Sequence, residues 1–160
     1  MKLKFYQQGI YDNLSPSAYY LLFSLENESN LRDALEILKK LVDGKNIILG
    51  LGEKVMARLK LDSPFYPYKP KGNQTKLAPE KSYDLALWLK SNDRGVLFYQ
   101  AKQVIEAISF AFKLEDSVDA TTYLAHQKND EFINHDLSGF EDGTENPKDE
   151  AIEPTVTKQK

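Results

Sequence analysis

The sequence predicts an α+β domain: a four-stranded antiparallel sheet with two helices on one face, in the order β-α-β-β-α-β. Three observations lead there. Four short runs rich in apolar, β-branched or aromatic residues are separated by turn formers. Two longer stretches carry apolar residues at three- and four-residue spacing. Each helical stretch falls between two strand-like runs, which is the split βαβ, or ferredoxin-like, plan.

The first strand is Tyr19 to Leu25, an apolar and aromatic run entered from Ser15-Pro16 and left through Glu26-Asn-Glu-Ser. The clearest helix follows: Leu31, Ala34, Leu35, Leu38, Leu41 and Val42 form one apolar stripe, with Asn30 placed to cap its start and Gly44 to close its end. Asn46 to Leu51 is the second strand. A Pro-rich passage, Ser63 to Pro79, then interrupts regular structure, because proline has no backbone donor and a fixed φ. The third strand is Tyr83 to Leu89. Asn92-Asp-Arg-Gly95 breaks the chain before a helix over about Val96 to Phe112, on which Val104, Ile105, Ile108 and Phe112 keep the helical spacing. The fourth strand is expected at Val118 to Ala125. The two strand-helix-strand crossovers should be right-handed. From about Lys128 acids, Asn, Gly and Pro dominate and no apolar period survives. The expected organisation is a domain over 1–127 and an irregular segment over 128–160.

Bulk properties narrow the functional classes. The chain has 160 residues, 41% hydrophobic and 28% charged, with a net charge of −3. That suits one globular domain and gives no electrostatic reason to expect nucleic acid or an anionic membrane as partner. With no cysteine, disulfides, thiolate metal sites and cysteine nucleophiles are excluded. No run reaches the length of a membrane span and no apolar leader follows Met1, so the expected compartment is the cytoplasm.

The most informative local pattern is Gly139-Phe-Glu-Asp-Gly-Thr-Glu-Asn-Pro147. Asp142-Gly143 and Asn146-Pro147 are turn formers, and two glycines within five residues allow positive φ. Physics alone favours an acidic surface turn, since Asp-Gly is common in turns. Its position after the last strand, where scaffolds commonly present functional residues, narrows that preference.

Gly139-x-x-Asp142-Gly143, extended by Thr144 to Pro147 and preceded by Asp136-Leu-Ser-Gly-Phe140, resembles the signature of the dye-decolorising-type haem peroxidases. Gln8-Gly9-Ile10, the strand at Tyr19, the Pro-rich loop before Tyr83-Asp84-Leu85 and the long helix after it are also similar to that family's layout. The resemblance implies two ferredoxin-like halves in the complete enzyme, with haem (heme b) lodged mainly in the second. It implies hydrogen peroxide and a reducing substrate, aromatic or other, as reactants. It makes Asp142 the distal acid–base group that moves a proton between the peroxide oxygens, work that suits a carboxylate able to accept and return a proton. Gly139 and Gly143 would let the backbone pass close to the porphyrin, and Phe140 would make apolar contact at its edge. Glu141 and Thr144 belong to the same cofactor-binding loop, although Glu141, like Glu145 and Asn146, could instead hydrogen-bond the loop's own backbone.

The departure from the family concerns the iron. Its proximal histidine and distal arginine lie downstream of this motif, and neither His126 nor His135 occupies a ligand position. The expectation is an N-terminal half that lacks an iron ligand, is inactive alone and does not bind haem tightly, with a complementary C-terminal half as partner. The alternative is a haem-free ferredoxin-like module for oligomerisation or binding, because an open sheet face must be covered.

Other patterns are weaker. Gly50-Leu-Gly52-Glu-Lys-Val55 lacks the third glycine and the parallel context of a dinucleotide loop and reads as a tight turn after a strand. The acids from Asp130 to Glu150 do not have calcium-loop spacing and read as a solvated face. Pro64-x-x-Pro67-x-x-Pro70, with Phe65, Tyr66 and Tyr68, reads as a packed connection rather than a polyproline ligand. Trp88 and the nine tyrosines could relay electrons, but read mostly as core or rim residues.

Overall fold

The structure is a computed structural model that describes residues 7–12, 14–61, 82–122, 124–128, 131–135, 138–141, 147 and 149–152. Its main sheet is built from β1 (Ser17–Leu25), β2 (Ile47–Leu51), β3 (Leu85–Ser91) and β4 (Phe112–Thr121) in the spatial order β2-β3-β1-β4. Every neighbouring pair is antiparallel. The crossover helices are α1 (Leu31–Leu41), between β1 and β2, and α3 (Arg94–Ile108), between β3 and β4. This is the ferredoxin-like arrangement that the sequence predicts.

Alternation along the strands decides which face is buried. Leu21, Phe23 and Leu25 of β1 and Leu85, Leu87 and Leu89 of β3 point to one side and are buried there. Against them pack Leu31, Ala34 and Leu38 of α1 and Leu97, Ala101, Val104 and Ile108 of α3, both sets at helical spacing. Phe23 is wholly buried at the centre. The opposite face carries Tyr20, Leu22, Ile48, Trp88 and Val118; Tyr20 stacks on Trp88 with ring centroids 5.6 Å apart. Tyr20 and Val118 stay exposed, so this face is only partly covered.

Several boundaries differ from expectation, each for a physical reason. The second long helix stops at Ile108, not Phe112. Phe112 keeps the helical spacing but pairs with Leu25, and its ring enters the same core from the start of β4. The strand expected at Val118 to Ala125 is the end of β4 and the start of another strand, β5 (Leu124–Lys128). A bulge where β4 meets β1 between Leu22 and Phe23 blurs the period-2 pattern there. The segment from Lys128 is not uniformly irregular: β6 (Glu131–Asn134) pairs antiparallel with β5 as a separate two-stranded sheet.

The pattern Gly50 to Val55 is more than a tight turn. It leads into a short helix, α2 (Glu53–Leu59), capped at its start by Gly52. A Cβ on Gly52 would stand 2.0 Å from the Tyr83 carbonyl oxygen, so this glycine allows close backbone packing against the lead into β3. Asn30 does not cap α1 with its side chain; its amide donates to the Phe110 carbonyl, while Asn27 accepts from Ser29 in the turn before the helix. Asp93 caps α3 by accepting from the Val96 N–H at 2.8 Å. The Pro-rich passage Ser63 to Pro79 lies outside the described residues.

The segment before β1 closes the free edge of β2. The Gln7 side chain accepts from the Leu49 N–H and donates to its carbonyl, both at 2.7 Å, as a neighbouring strand would. Asp43 organises the turn into β2 by accepting from the N–H groups of Lys45, Asn46 and Ile47. Burial raises its pKa, but these bonds and the Asn46 side chain together hold it below the ordinary carboxylate value.

Candidate functional site

The signature loop follows directly from the β5–β6 hairpin. Lys128 pairs with Glu131 and Gln127 with Phe132 at the hairpin's closed end, and Leu124 pairs with Asn134 at its open end. The next residue, His135, forms an isolated antiparallel bridge with Glu141. Between these two the chain reverses, and Gly139 has φ +92°. Among the described residues no atom lies within 4 Å of where a Cβ on Gly139 would stand. Phe140 is 76% exposed and Glu141 is also exposed.

These observations place three of the six expected site residues, Gly139, Phe140 and Glu141, together on an open reversal at the end of a hairpin. Asp142, Gly143 and Thr144 lie outside the described residues, as do Glu145 and Asn146. His126 lies within the hairpin, on β5 opposite Ile133, and His135 is at the bridge just after β6. Among the described residues no group of three or more His, Asp or Glu side chains could hold a metal ion.

Cavities among the described residues include the following two. One, of about 390 Å³, is lined by Asp12, Ser15, Lys45, Asn46, Lys90 and Asn92 among others, where β2 begins and β3 ends. Lys90 is buried there. Its ammonium donates to the Gly9 carbonyl and lies 4.9 Å from the centre of the Trp88 ring. Burial pushes its pKa below the usual lysine value, with Lys45 adding to that and Asp12 and Asp43 opposing it. The contacts make Lys90 an anchor for the segment before β1. Sequence reading passed over it; the available signal was a lysine closing an apolar strand at the alternation position shared with Trp88. The second cavity, about 330 Å³ and mostly apolar, lies between α3 and the sheet at Tyr19, Phe98, Ile105 and Leu114.

Neither cavity is lined by a histidine. The exposed Phe140 ring suits contact with the edge of a planar apolar group.

No family model matches the chain. It is 24% identical over 159 residues to a dye-decolorizing peroxidase from Brevibacterium linens, covering 89% of this chain and 41% of that protein. Among solved structures it is similar to a variant of DypB from Rhodococcus jostii RHA1 in complex with heme, with TM-score 0.64 and 21% identity over 89% of this chain and 49% of that one. It is also similar to the encapsulated DyP-type peroxidase from Mycobacterium smegmatis, with TM-score 0.59 and 25% identity over 87% of this chain and 47% of that one. The chain therefore spans about half the length of the relatives it matches. By fold it is a ferredoxin-like α+β domain. By sequence and structural match together, it is similar to dye-decolorising-type peroxidases over about half of their length.

Proposed function

We propose that this chain supplies the distal side of a haem peroxidase pocket, with Asp142 as its acid–base group and the iron ligand coming from a complementary C-terminal half. The observation that carries this reading is the nine-residue signature Gly139 to Pro147, set after a ferredoxin-like domain that matches peroxidases at half their length. The haem supplies the redox chemistry when bound. The Asp142 carboxylate would take a proton from one peroxide oxygen and give it to the other, so that this second oxygen could leave as water if bound haem took up the remaining oxygen and supplied the electrons. Phe140, which is exposed, would make apolar contact with the porphyrin, and Gly143 and Thr144 would belong to the same cofactor-binding loop. Glu141 places its backbone in the bridge and its side chain at the rim.

In this reading the domain covers 1–127 and the segment 128–160 is its functional appendage. The reducing substrate is aromatic or similarly oxidisable, and the compartment is the cytoplasm. No helix among the described residues is long and apolar enough to cross a membrane. The chain alone holds haem weakly and turns over little.

Haem titration followed by addition of the complementary half tests this. The expected result is weak uptake by the chain alone and peroxide-dependent oxidation by the pair. A pair with intact Asp142 that oxidises nothing would sink the reading. Tight haem binding and turnover by this chain alone would overturn the part about the missing ligand.

A second reading is supported by the open sheet face, where Tyr20 and Val118 are exposed beside Trp88: a haem-free module that covers this face by association. Light scattering separates the two. A stable oligomer indifferent to haem favours the module, and ordering upon addition of the second half favours the peroxidase.

A further inference from the structure

The cavity where β2 begins and β3 ends is walled by polar groups of both signs. The segment before β1 brings Asp12 and Ser15 to it, the lead into β2 brings Lys45 and Asn46, and the end of β3 brings Lys90 and Asn92. These walls are fixed by backbone contacts. The Gly9 N–H donates to the Gly44 carbonyl at 2.8 Å, and a Cβ on Gly9 would stand 2.1 Å from the Lys45 carbonyl oxygen. The Lys90 N–H donates to the Asn46 carbonyl at 2.8 Å, and the Asn46 amide donates to the Asp43 carboxylate at 3.0 Å. A site held in this way loses little freedom when a ligand enters.

The charges around the cavity are unevenly satisfied. Lys90 is 4% exposed, and its ammonium donates to the Gly9 carbonyl. Two carboxylates attract it, those of Asp12 and Asp43. Asp43 is committed to three N–H groups of its own turn. Asp12 takes the Gln8 amide on Oδ1, but its Oδ2 is buried and has no hydrogen-bond partner among the described residues. A buried carboxylate oxygen without a donor is costly. The cavity therefore calls for a donor at Asp12 and for an anion near Lys45 and Lys90. Its volume of about 390 Å³ is at the lower end of the roughly 300–1,000 Å³ of small-ligand sites and far above the ~30 Å³ share of one water.

We propose that this cavity binds a small carboxylic acid with a hydrogen-bond donor on the adjacent carbon, that is, an α-hydroxy or α-amino acid. The ligand's carboxylate lies toward Lys45 and Lys90, and its hydroxyl or ammonium donates to Asp12 Oδ2. The site uses no residue of the Gly139 to Pro147 signature and stands whether or not the peroxidase reading does.

The test titrates acetate, glycolate, glycine and glycolamide into the full chain while amide and lysine side-chain NMR signals are followed. Glycolate or glycine should shift the Lys90 and Asn92 signals saturably and bind about tenfold or more tightly than acetate, because each adds a bond to a charged acceptor. Glycolamide, which keeps the donor without the charge, should bind more weakly than glycolate. The better of glycolate and glycine identifies the hydroxy or the amino acid as the ligand class. Asp12→Ala should bring both to the level of acetate, and Lys45→Ala should weaken all three acids, with unfolding midpoints near the parent. Should Asp12→Ala unsettle the fold, the comparison of acids in the parent decides. Acetate binding as tightly as glycolate and glycine would overturn the proposal, as would the absence of saturable shifts at Lys90 and Asn92, the result expected of a cavity filled by water alone.

Discussion

The two ends of this chain are stabilised by different means. Between Ser17 and Thr121 the described backbone is organised by a four-stranded ladder, and the side chains of one face are packed under two helices. From Leu124 to Glu141 a two-stranded hairpin and one bridge carry a loop whose visible aromatic ring stands in solvent. An isolated hairpin is marginal in water, whereas a sheet with a packed face is not. Stability should therefore reside in the first region and chemistry in the second, so that substitutions affect one without the other.

The largest effect is expected at the centre of the core. Phe23→Ala should lower unfolding stability by about 3–5 kcal/mol, read from denaturant midpoints. A loss far below that would mean that the sheet and helices are not packed as described. Next, Gly52→Ala should cost about 1–3 kcal/mol, because the new Cβ meets the Tyr83 backbone and not a movable side chain. Its measured cost reports whether α2 is truly seated against the lead into β3.

A smaller effect belongs to Asp43. Asp43→Ala removes the acceptor for three backbone N–H groups in an exposed turn and should cost about 1 kcal/mol at neutral pH. Since the folded-state pKa is lowered from 3.8, the contribution is present above that value and is lost as pH falls through the folded value beneath it. The parent and the variant should therefore converge in stability only in acid. Convergence at pH 6 would contradict the assignment. Smallest of all, Phe140→Ala should shift stability by less than about 0.5 kcal/mol, since the ring is already exposed. A larger loss would show that the loop region is part of the core after all.

How much could be read beforehand follows the same division. Leu85, Leu87 and Leu89 alternate, and Leu31, Ala34 and Leu38 recur at helical spacing, so strand, helix and buried face were legible from periodicity alone. Phe112 misled because it satisfies the helical spacing and a strand pairing equally well; only its partner Leu25 decides between them. The helix Glu53–Leu59 is too short to show a period. The β5–β6 hairpin was missed because its strands are short and mix polar with apolar residues, and pairing between backbones leaves no mark on composition. Lys90 was passed over because nothing in the sequence sets Gly9 against it.

The candidate site was legible in another way. Nothing in the hydropathy distinguishes Gly139 to Pro147 from an acidic turn; the family resemblance did that. Structure then added what resemblance could not, the bridge at His135–Glu141 and the positive φ that explains one glycine. Neither histidine is among the residues lining the two cavities described above.

The central claim is that Asp142 performs chemistry without supporting the fold. The direct measurement is peroxide-dependent oxidation by the chain paired with its complementary half, for the parent and for Asp142→Asn, alongside the unfolding midpoint of each. The account predicts a rate lower by about 100-fold or more with the midpoint unchanged. An undiminished rate in Asp142→Asn would contradict it.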